Sequence, residues 1–306
     1  MILVTGATGF IGQALLRRLS ENEHPFRILL RPSSKNPLLP RGVTVDAAVC
    51  NLTDYDGMRA ALVGVDMVYH LAGSESQGMR GNLLHTDVLG TQTLCQAAAA
   101  AGVKRIFYVS HVGSDRAAAY PLMKAKAIAE EHIRRSGVDY TILRTSAIFG
   151  QGDHFTIGLA RLLNDFPVFF FVPGEGETLL QPLWVEDLAT CLVWALDLPN
   201  TLNQVISIGG PEFMTFKQVL EQVMQATGIR RRLWNVHPGW LRWITVLLEH
   251  SFTRFPTTVY WLDYLATNRS SSLDTIPRLF NLSPSRFSHR LDYLRGHTWR
   301  IPWRSK

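Results

Sequence analysis

A glycine-rich turn behind the first apolar segment constrains the fold of this chain most. Residues 2–6 read as a buried strand, and the segment TGATGFIG places Gly6, Gly9 and Gly12 ahead of an amphipathic helix. Glycines at such a junction let the backbone turn tightly and approach a pyrophosphate, which the free N–H groups of the helix N-terminus attract. The turn therefore predicts a dinucleotide site; the alternative is a glycine turn without a ligand.

Strand and helix patterns alternate through the first 150 residues. Short apolar strands separated by helices indicate a parallel sheet covered on both faces. We therefore predict an α/β, doubly wound parallel sheet whose ligand lies beyond the carboxyl ends of the strands. The predicted strands are 2–6, 25–31, 42–49, 66–73, 104–110 and 139–146, and the predicted helices are 9–21, 55–64, 81–102 and 121–136.

The pattern changes after Gly150, where Phe, Pro and Gly become frequent. We predict that residues 1–150, joined by 182–210, form the dinucleotide-binding domain, and that 151–181 and 211–306 form a smaller, mostly helical domain. The expected elements are a loop with a short extended run over 165–182, a helix at 185–197, a strand at 203–210, a helix at 215–227, and short helices broken at Pro238, Pro256, Pro277 and Pro284.

The positive charge is concentrated at the C-terminus. Residues 229–306 contain 13 Arg or Lys against 4 Asp or Glu, and six of the eight tryptophans. Such a segment either contacts a protein complex or an anionic membrane surface, or forms a solvated basic surface over an aromatic core. No nucleic-acid motif is present, so we expect no nucleic-acid partner. We expect the segment GWLRWITVLLEH (239–250) to be core; the alternative is a helix lying on a membrane or a partner.

Leader and cysteine patterns bear on location. No basic and apolar leader precedes the first strand, so we expect no signal peptide. Cys50, Cys95 and Cys191 lack CxxC spacing, which favours buried thiols in reducing surroundings. We therefore expect a cytoplasmic protein, either free or peripheral on the cytoplasmic membrane face. The histidines show no ligand spacing, so no metal site is predicted.

The end of the second predicted strand bears on cofactor choice. The segment LLRPSSK contains no carboxylate to bind a free ribose 2′-hydroxyl; its two cations and two hydroxyls suit a 2′-phosphate. We therefore predict NADP(H) rather than NAD(H). The alternative is that Arg31 stacks on adenine and both cofactors bind. The residues concerned are Arg31, Ser33, Ser34 and Lys35.

Several motifs fall in one order along residues 1–225: TGATGFIG, NLTD, VYHLAG, DVLGT, KRIFYVS, YPLMK, LRTSAIFGQGD and QPLWVEDLA. As a set they resemble the extended and atypical short-chain dehydrogenase/reductase superfamily, which is NAD-dependent epimerase/dehydratase-like and has a Rossmann fold. The segment GPEFMTFKQV is similar to the atypical branch, which contains the NADPH-binding accessory subunit of respiratory complex I. The last 80 residues resemble this branch only loosely.

The resemblance implies roles for residues at matching positions. Asn51 stands where the family has Asp, Thr145 where it has Pro, and Asp87 where it has a helix asparagine that assists a proton relay. Asp187 matches a structural aspartate. The implied cofactor contacts are Gly6, Thr8, Gly9, Phe10, Ile11, Gly12, Asn51, Leu52, Leu71, Ala72, Gly73, Ser110, Tyr120, Lys124 and Thr145.

Tyr120 and Lys124 are the candidate catalytic couple. Four residues apart on a helix, they share one face, and a nearby ammonium lowers the pKa of a phenol. The family also needs a hydroxyl that holds the substrate oxygen. Here Ser110 matches the first serine of the family's pair and His111 replaces the catalytic one. Either His111 donates a hydrogen bond instead, or Ser114 does, or the site is inactive.

Two functional classes follow. In one, the protein is a cofactor-loaded accessory or assembly subunit of a membrane complex, such as a respiratory complex, in which NADP(H) stabilises the fold. In the other, it is an NADPH-dependent oxidoreductase, or an epimerase or dehydratase, acting on a small molecule through Tyr120 and Lys124. The missing hydroxyl and the basic tail favour the first class, and the retained Tyr/Lys pair favours the second.

Overall fold

A parallel seven-stranded sheet forms the centre of the computed structural model, which describes residues 1–33, 36–252 and 255–300. The spatial order β11-β6-β5-β4-β1-β2-β3 reverses between β1 and β4. This confirms the predicted doubly wound α/β fold, and the reversal marks the crevice where such sheets bind ligands. The strands are β1 (Ile2–Thr5), β2 (Phe26–Leu30), β3 (Asp46–Val49), β4 (Met67–His70), β5 (Arg105–His111), β6 (Asp139–Thr145) and β11 (Gln204–Ile208).

Helices cover both faces of this sheet. Ile2 and Val4 of β1 pack into one apolar cluster, whereas Leu3 between them packs into the other. This alternation follows from the two-residue period of a strand, and burial on both sides explains the continuous apolar runs. One face carries α1 (Phe10–Glu21), α6 (Val185–Trp194) and α10 (Thr275–Phe280), and the other carries α2 (Tyr55–Ala61), α3 (Gly90–Ala101) and α4 (Pro121–Arg134).

A third apolar cluster lies outside the sheet and includes Leu122 and Met123 from the start of α4. Its helices are α5 (Thr156–Asp165), α7 (Phe216–Thr227), α8 (Pro238–Ser251) and α9 (Val259–Tyr264). Short strands pair beside them: β7 (Ile148–Phe149) with β10 (Leu183–Trp184), β8 (Phe169–Pro173) with β13 (Arg232–Val236), and β9 (Leu179–Leu180) with β12 (Met214–Thr215). Short 3₁₀ segments occur at Pro199–Thr201, Phe287–Arg290, Asp292–Leu294 and Glu75–Arg80, and the last of these is two turns separated by a kink at Gly78.

The structure differs from the predicted elements in two places near the crevice. The helix predicted over 81–102 begins as a π-helical turn (Leu84–Leu89) before α3, and π turns are frequent at functional sites. At their junction Gly90 lies so close to Leu52 that an added Cβ would be 3.0 Å from the Leu52 Cβ. The strand predicted over 66–73 ends at His70, because residues 71–73 leave the sheet and line the crevice.

Helix α8 contradicts the expectation that residues 239–250 are core. Pro238 begins this helix rather than breaking it, because proline lacks only an N–H that the first helical residue does not use. Thr245 and Glu249 are its only buried residues. Trp240 and Trp243 are 71% and 69% exposed. The helix therefore presents an apolar face outward.

A buried ion pair sets the rotation of α4. Arg144 Nε and Nη2 donate to the two carboxylate oxygens of Glu130 at 2.9 and 2.6 Å. Glu130 is completely buried, and such a two-bond geometry is orientationally specific. The α4 face that contains Glu130 is thereby held against the end of β6.

Candidate functional site

A cavity of about 910 Å³ lies at the carboxyl ends of the strands. It spans the reversal between β1 and β4, where this fold class binds dinucleotides. Eleven of the predicted cofactor contacts and the catalytic candidate His111 line it. The eleven are Gly6, Thr8, Gly9, Phe10, Ile11, Gly12, Arg31, Leu52, Leu71, Ala72 and Gly73.

The turn after β1 requires glycine at two positions. Gly6 has φ +70°, and an added Cβ would lie 2.5 Å from the carbonyl carbon of Leu71. A Cβ on Gly12 would lie 2.3 Å from the Gly6 oxygen. The first approach places the turn against the 71–73 segment, and the second packs the start of α1 against the turn. Both Gly6 and Gly12 line the cavity.

The N-terminus of α1 fits a pyrophosphate. Gly9 caps this 12-residue helix without a side-chain hydrogen bond, and the first turn contains no acidic residue. The first N–H groups of a helix have no intrahelical partner, and the helix dipole attracts anions. Because Thr8, Phe10 and Ile11 also line the cavity, this end of the site suits the phosphates of a dinucleotide.

Arg31 lines the cavity at the end of β2, beside buried Leu52. Ser33 is exposed and does not line the cavity. Asn51 is likewise exposed and outside the lining. The predicted contacts Ser34 and Lys35 lie outside the described residues.

His70 links three elements around the cofactor wall. The Thr91 hydroxyl donates to the Asp87 carbonyl oxygen at 2.6 Å, so His70 Nε2 must donate to Thr91 Oγ1 at 2.8 Å. His70 Nδ1 then accepts from the Thr5 hydroxyl at 2.8 Å, and Thr5 Oγ1 accepts from the Ala72 N–H at 3.3 Å. Burial, and secondarily Lys126, lowers the pKa of His70 to about 3. The neutral ring therefore holds the 71–73 segment in place.

The structure corrects the register of the predicted Tyr/Lys couple. Lys124 is exposed, and Tyr120 is half-buried against the third apolar cluster; neither lines the cavity. Lys126 lines it instead, at 7% exposure. Four residues before Lys126 stands Leu122, a core residue. The cavity therefore holds a lysine without the predicted tyrosine.

Lys126 pairs with Asp87. Its Nζ lies 3.4 Å from Asp87 Oδ1, while Asp87 Oδ2 accepts from the Ser74 N–H and hydroxyl at 3.0 and 2.7 Å. Burial alone would lower the pKa of Lys126, but Tyr108, Asp87 and Glu75 together raise it. The carboxylate that replaces the family's asparagine thus compensates a buried ammonium beside Gly73.

The hydroxyls predicted at the ends of β5 and β6 do not reach the cavity. Ser110 and Ser114 are buried and hydrogen-bond each other, with their Oγ atoms 3.1 Å apart. Thr145 donates to the Ser110 carbonyl oxygen at 3.1 Å. None of the three lines the cavity, so these residues support the strands, and Ser114 does not replace the missing hydroxyl.

His111 lines the cavity and pairs with Glu75. Its Nε2 lies 2.8 Å from Glu75 Oε2, and because a carboxylate only accepts, Nε2 is the donor. Burial alone would raise the pKa of Glu75, but His111, Lys126 and His154 together lower it to about 2. The Glu75 side chain keeps 37% exposure, so water weakens these charge effects at the carboxylate.

Two buried polar atoms beside this pair have no hydrogen-bond partner among the described residues: His111 Nδ1 and the Tyr264 hydroxyl. Their rings meet edge to face with centroids 5.8 Å apart, and both residues line the cavity. Burial raises the pKa of Tyr264, and the neighbouring Ser146 side chain offsets part of that rise. Buried polar atoms without a protein partner at a cavity wall are available to hydrogen-bond a ligand atom or water.

Sequence reasoning missed Lys126, Glu75 and Tyr264. A signal existed for Lys126, because Leu122, Ala129 and Ile133 recur at helical spacing and define a buried face that contains it. Glu75 and Tyr264 gave no local signal, since tertiary packing alone brings them to His111.

Over the described ranges, no helix has the length and apolar character needed to cross a membrane. The same part of the chain contains no group of three or more His, Cys, Asp or Glu side chains arranged to hold a metal ion.

Fold and site together define a dinucleotide-binding protein of the Rossmann class. Residues 6–160 match the sequence profile described as NAD(P)H-binding, and the chain belongs to this NAD(P)H-binding family.

Named relatives have different roles. The chain is 29% identical to sterol demethylase protein B of Methylococcus capsulatus, covering 83% of this chain and 82% of the relative. It is 27% identical to mitochondrial NADH dehydrogenase (ubiquinone) 1 alpha subcomplex subunit 9 of Arabidopsis thaliana, covering 71% of this chain and 56% of the relative. The Escherichia coli NADPH-dependent quinone oxidoreductase, solved with NADPH, shares the fold at TM-score 0.75 and 19% identity, covering 96% of this chain and 99% of that one.

The neutral state of His70 predicts a pH dependence of stability. The folded protein keeps His70 unprotonated down to about pH 3, whereas the unfolded chain takes up a proton below its ordinary pKa of 6.5. The stabilisation is therefore complete above pH 6.5 and is lost as pH falls, by at most roughly 1.4 kcal/mol per pH unit.

His70→Gln keeps one donor and one acceptor but does not titrate. Urea unfolding at pH 7 and pH 5 should show a smaller loss of unfolding free energy for this variant than for the wild type. An equal loss of unfolding free energy in the variant and the wild type would contradict the neutral state assigned to His70.

Proposed function

We propose that the protein is an NADP(H)-dependent oxidoreductase in which His111, oriented by Glu75, replaces the family's tyrosine as the proton-transfer group. The observation that carries this proposal is the pair of unpartnered buried atoms, His111 Nδ1 and the Tyr264 hydroxyl, on the wall of the cofactor cavity.

Bound NADP(H) supplies a hydride to a carbonyl carbon or accepts one from an alcohol carbon. In the reducing direction, His111 gives the Nδ1 proton to the carbonyl oxygen; in the oxidising direction, Nδ1 takes the proton of the hydroxyl. Glu75 holds Nε2–H at 2.8 Å and so fixes the ring. Tyr264, kept neutral by its raised pKa, donates a hydrogen bond to the same oxygen.

Lys126, rather than the expected cofactor contact Lys124, binds the ribose of the cofactor. Its buried ammonium lies beside Gly73 on the cavity wall, where its donors can meet ribose hydroxyls. The proposed preference for NADP(H) rests on Arg31, the cation that lines the cavity at the end of β2.

A second candidate function is the docking of a cofactor-loaded accessory protein on a membrane complex at the cytoplasmic face. The specific observation is the outward apolar face of α8, with Trp240, Trp243 and Leu247 all more than half exposed. One relative is a subunit of mitochondrial NADH dehydrogenase. Both functions require the same bound cofactor. Only the oxidoreductase would also convert a substrate, so a turnover assay distinguishes the two functions.

His111→Asn should reduce kcat for NADPH-dependent reduction of decanal or acetophenone by about 10²- to 10⁴-fold, because it removes the proton-transfer group. NADPH affinity should change less than twofold. His289→Asn, at an exposed position, is the control. An unchanged kcat in His111→Asn would refute the proposed role. Wild-type protein that reduces neither compound and exchanges NADPH over hours would favour the docking function.

Arg31→Asp should weaken NADPH binding about 10- to 100-fold while changing NADH affinity little, because a charge-assisted contact to the 2′-phosphate is lost. Arg41→Asp makes the same charge change at an exposed position outside the cavity and should affect neither cofactor. Fluorescence titration of both nucleotides measures the ratio. Equal losses for the two cofactors in Arg31→Asp would remove the 2′-phosphate assignment.

A further inference from the structure

A second, apolar cavity adjoins the dinucleotide cavity. It has a volume of about 140 Å³ and lies between α5, β8, α8 and α9. Its walls include Leu159 of α5, Phe170 of β8, and Leu241 and Leu248 of α8. His154 is the one titratable side chain among the described residues of its lining, so the cavity offers an apolar ligand almost no competing polar group.

The two cavities share a wall of aromatic rings. Phe155 and Trp261 line both, and their rings stack with centroids 4.5 Å apart. Trp261 in turn meets Tyr264 edge to face at 5.2 Å, and Tyr264 meets His111. A continuous series of rings therefore leads from the unpartnered polar atoms to the apolar cavity.

The size of this cavity sets the kind of group it holds. Protein interiors rarely leave voids larger than a water molecule, and an engineered apolar cavity of about 150 Å³ in another protein binds benzene. A volume of about 140 Å³ thus accepts one aromatic ring or roughly six carbons of an alkyl chain.

The cavity also reaches the surface. Phe171 of β8 and Ile244 of α8 line it and are each 45% exposed. A hydrocarbon chain longer than the cavity can therefore extend past Phe171 and Ile244 toward solvent.

The geometry points to an amphiphilic substrate: a carbonyl compound or alcohol whose oxygen lies between His111 and Tyr264 and whose hydrocarbon chain passes Trp261 into the apolar cavity. This inference rests on the proposed oxidoreductase function for the oxygen-binding end. The hydrocarbon-binding part of the inference depends only on the apolar cavity and not on the proposed reaction.

The hydrocarbon site can be tested by measuring alcohol binding under conditions in which no reaction occurs. Butan-1-ol, hexan-1-ol and decan-1-ol are titrated by calorimetry into NADPH-loaded protein, which cannot oxidise them. Affinity should rise about three- to fourfold per methylene until the cavity is filled. Leu248→Trp should fill the cavity and weaken decan-1-ol binding at least tenfold, with butan-1-ol unchanged.

Leu247→Trp is the matched control, because Leu247 is the adjacent residue of α8, is exposed and does not line the cavity. It should leave both affinities unchanged. If Leu248→Trp does not fold, Leu241→Phe takes its place. Affinity independent of chain length, or equal effects at positions 247 and 248, would overturn the inference.

Turnover separates this inference from the proposed function. The kcat/KM values for butanal and decanal should differ in the same direction as the alcohol affinities. If decan-1-ol binds as described but neither aldehyde oxidises NADPH, the oxidoreductase proposal fails and the hydrocarbon site stands. If both aldehydes react equally well and chain length has no effect on binding, the hydrocarbon site fails and the oxidoreductase proposal stands.

Discussion

The ion pair between Arg144 and the buried Glu130 determines what the cavity contains. Two parallel hydrogen bonds hold Glu130, and removing Arg144 would leave this buried carboxylate without its cation, which is destabilising. Because a helix is rigid, fixing Glu130 fixes every position at helical spacing from it. Lys126, one turn earlier, faces the cavity, whereas Lys124 faces solvent. A surface ion pair, such as Arg135 with Glu131, lacks the burial to set such an orientation.

The rest of the polar wall follows from the placement of Lys126. Its charge requires Asp87, which lies in the π-helical turn and also binds Ser74. The backbone oxygen of Asp87 accepts from Thr91, and Thr91 accepts from His70. His70 reaches Thr5, which holds the Ala72 N–H. One hydrogen-bonded series thus connects the helix that precedes α3 to the segment that lines the cofactor cavity, and each member satisfies its neighbour.

The sequence predicted the features that local stereochemistry decides and missed those that packing decides. Gly6 and Gly12 were predictable because only glycine fits the turn, and the alternating strand pattern predicted the doubly wound sheet. The sequence pointed to Lys124, whereas the structure places Lys126 on the cavity wall. Spacing from Tyr120 alone cannot distinguish the two lysines, but the buried stripe through Leu122 and Ile133 can. Glu75 joins His111 from 36 residues away, and Tyr264 from farther still, which no local pattern encodes. The apolar face of α8 was expected to be core, because composition does not say whether a neighbouring element covers a helix.

The most direct test of this account compares Lys126→Met with Lys124→Met, the same change two residues apart on one helix. NADPH affinity is measured by fluorescence titration, with circular dichroism as a check on folding. We expect Lys126→Met to weaken NADPH binding at least tenfold, because a charged donor on the cavity wall is lost, and Lys124→Met to bind NADPH like the wild type. Weaker binding in Lys124→Met with normal binding in Lys126→Met would contradict it.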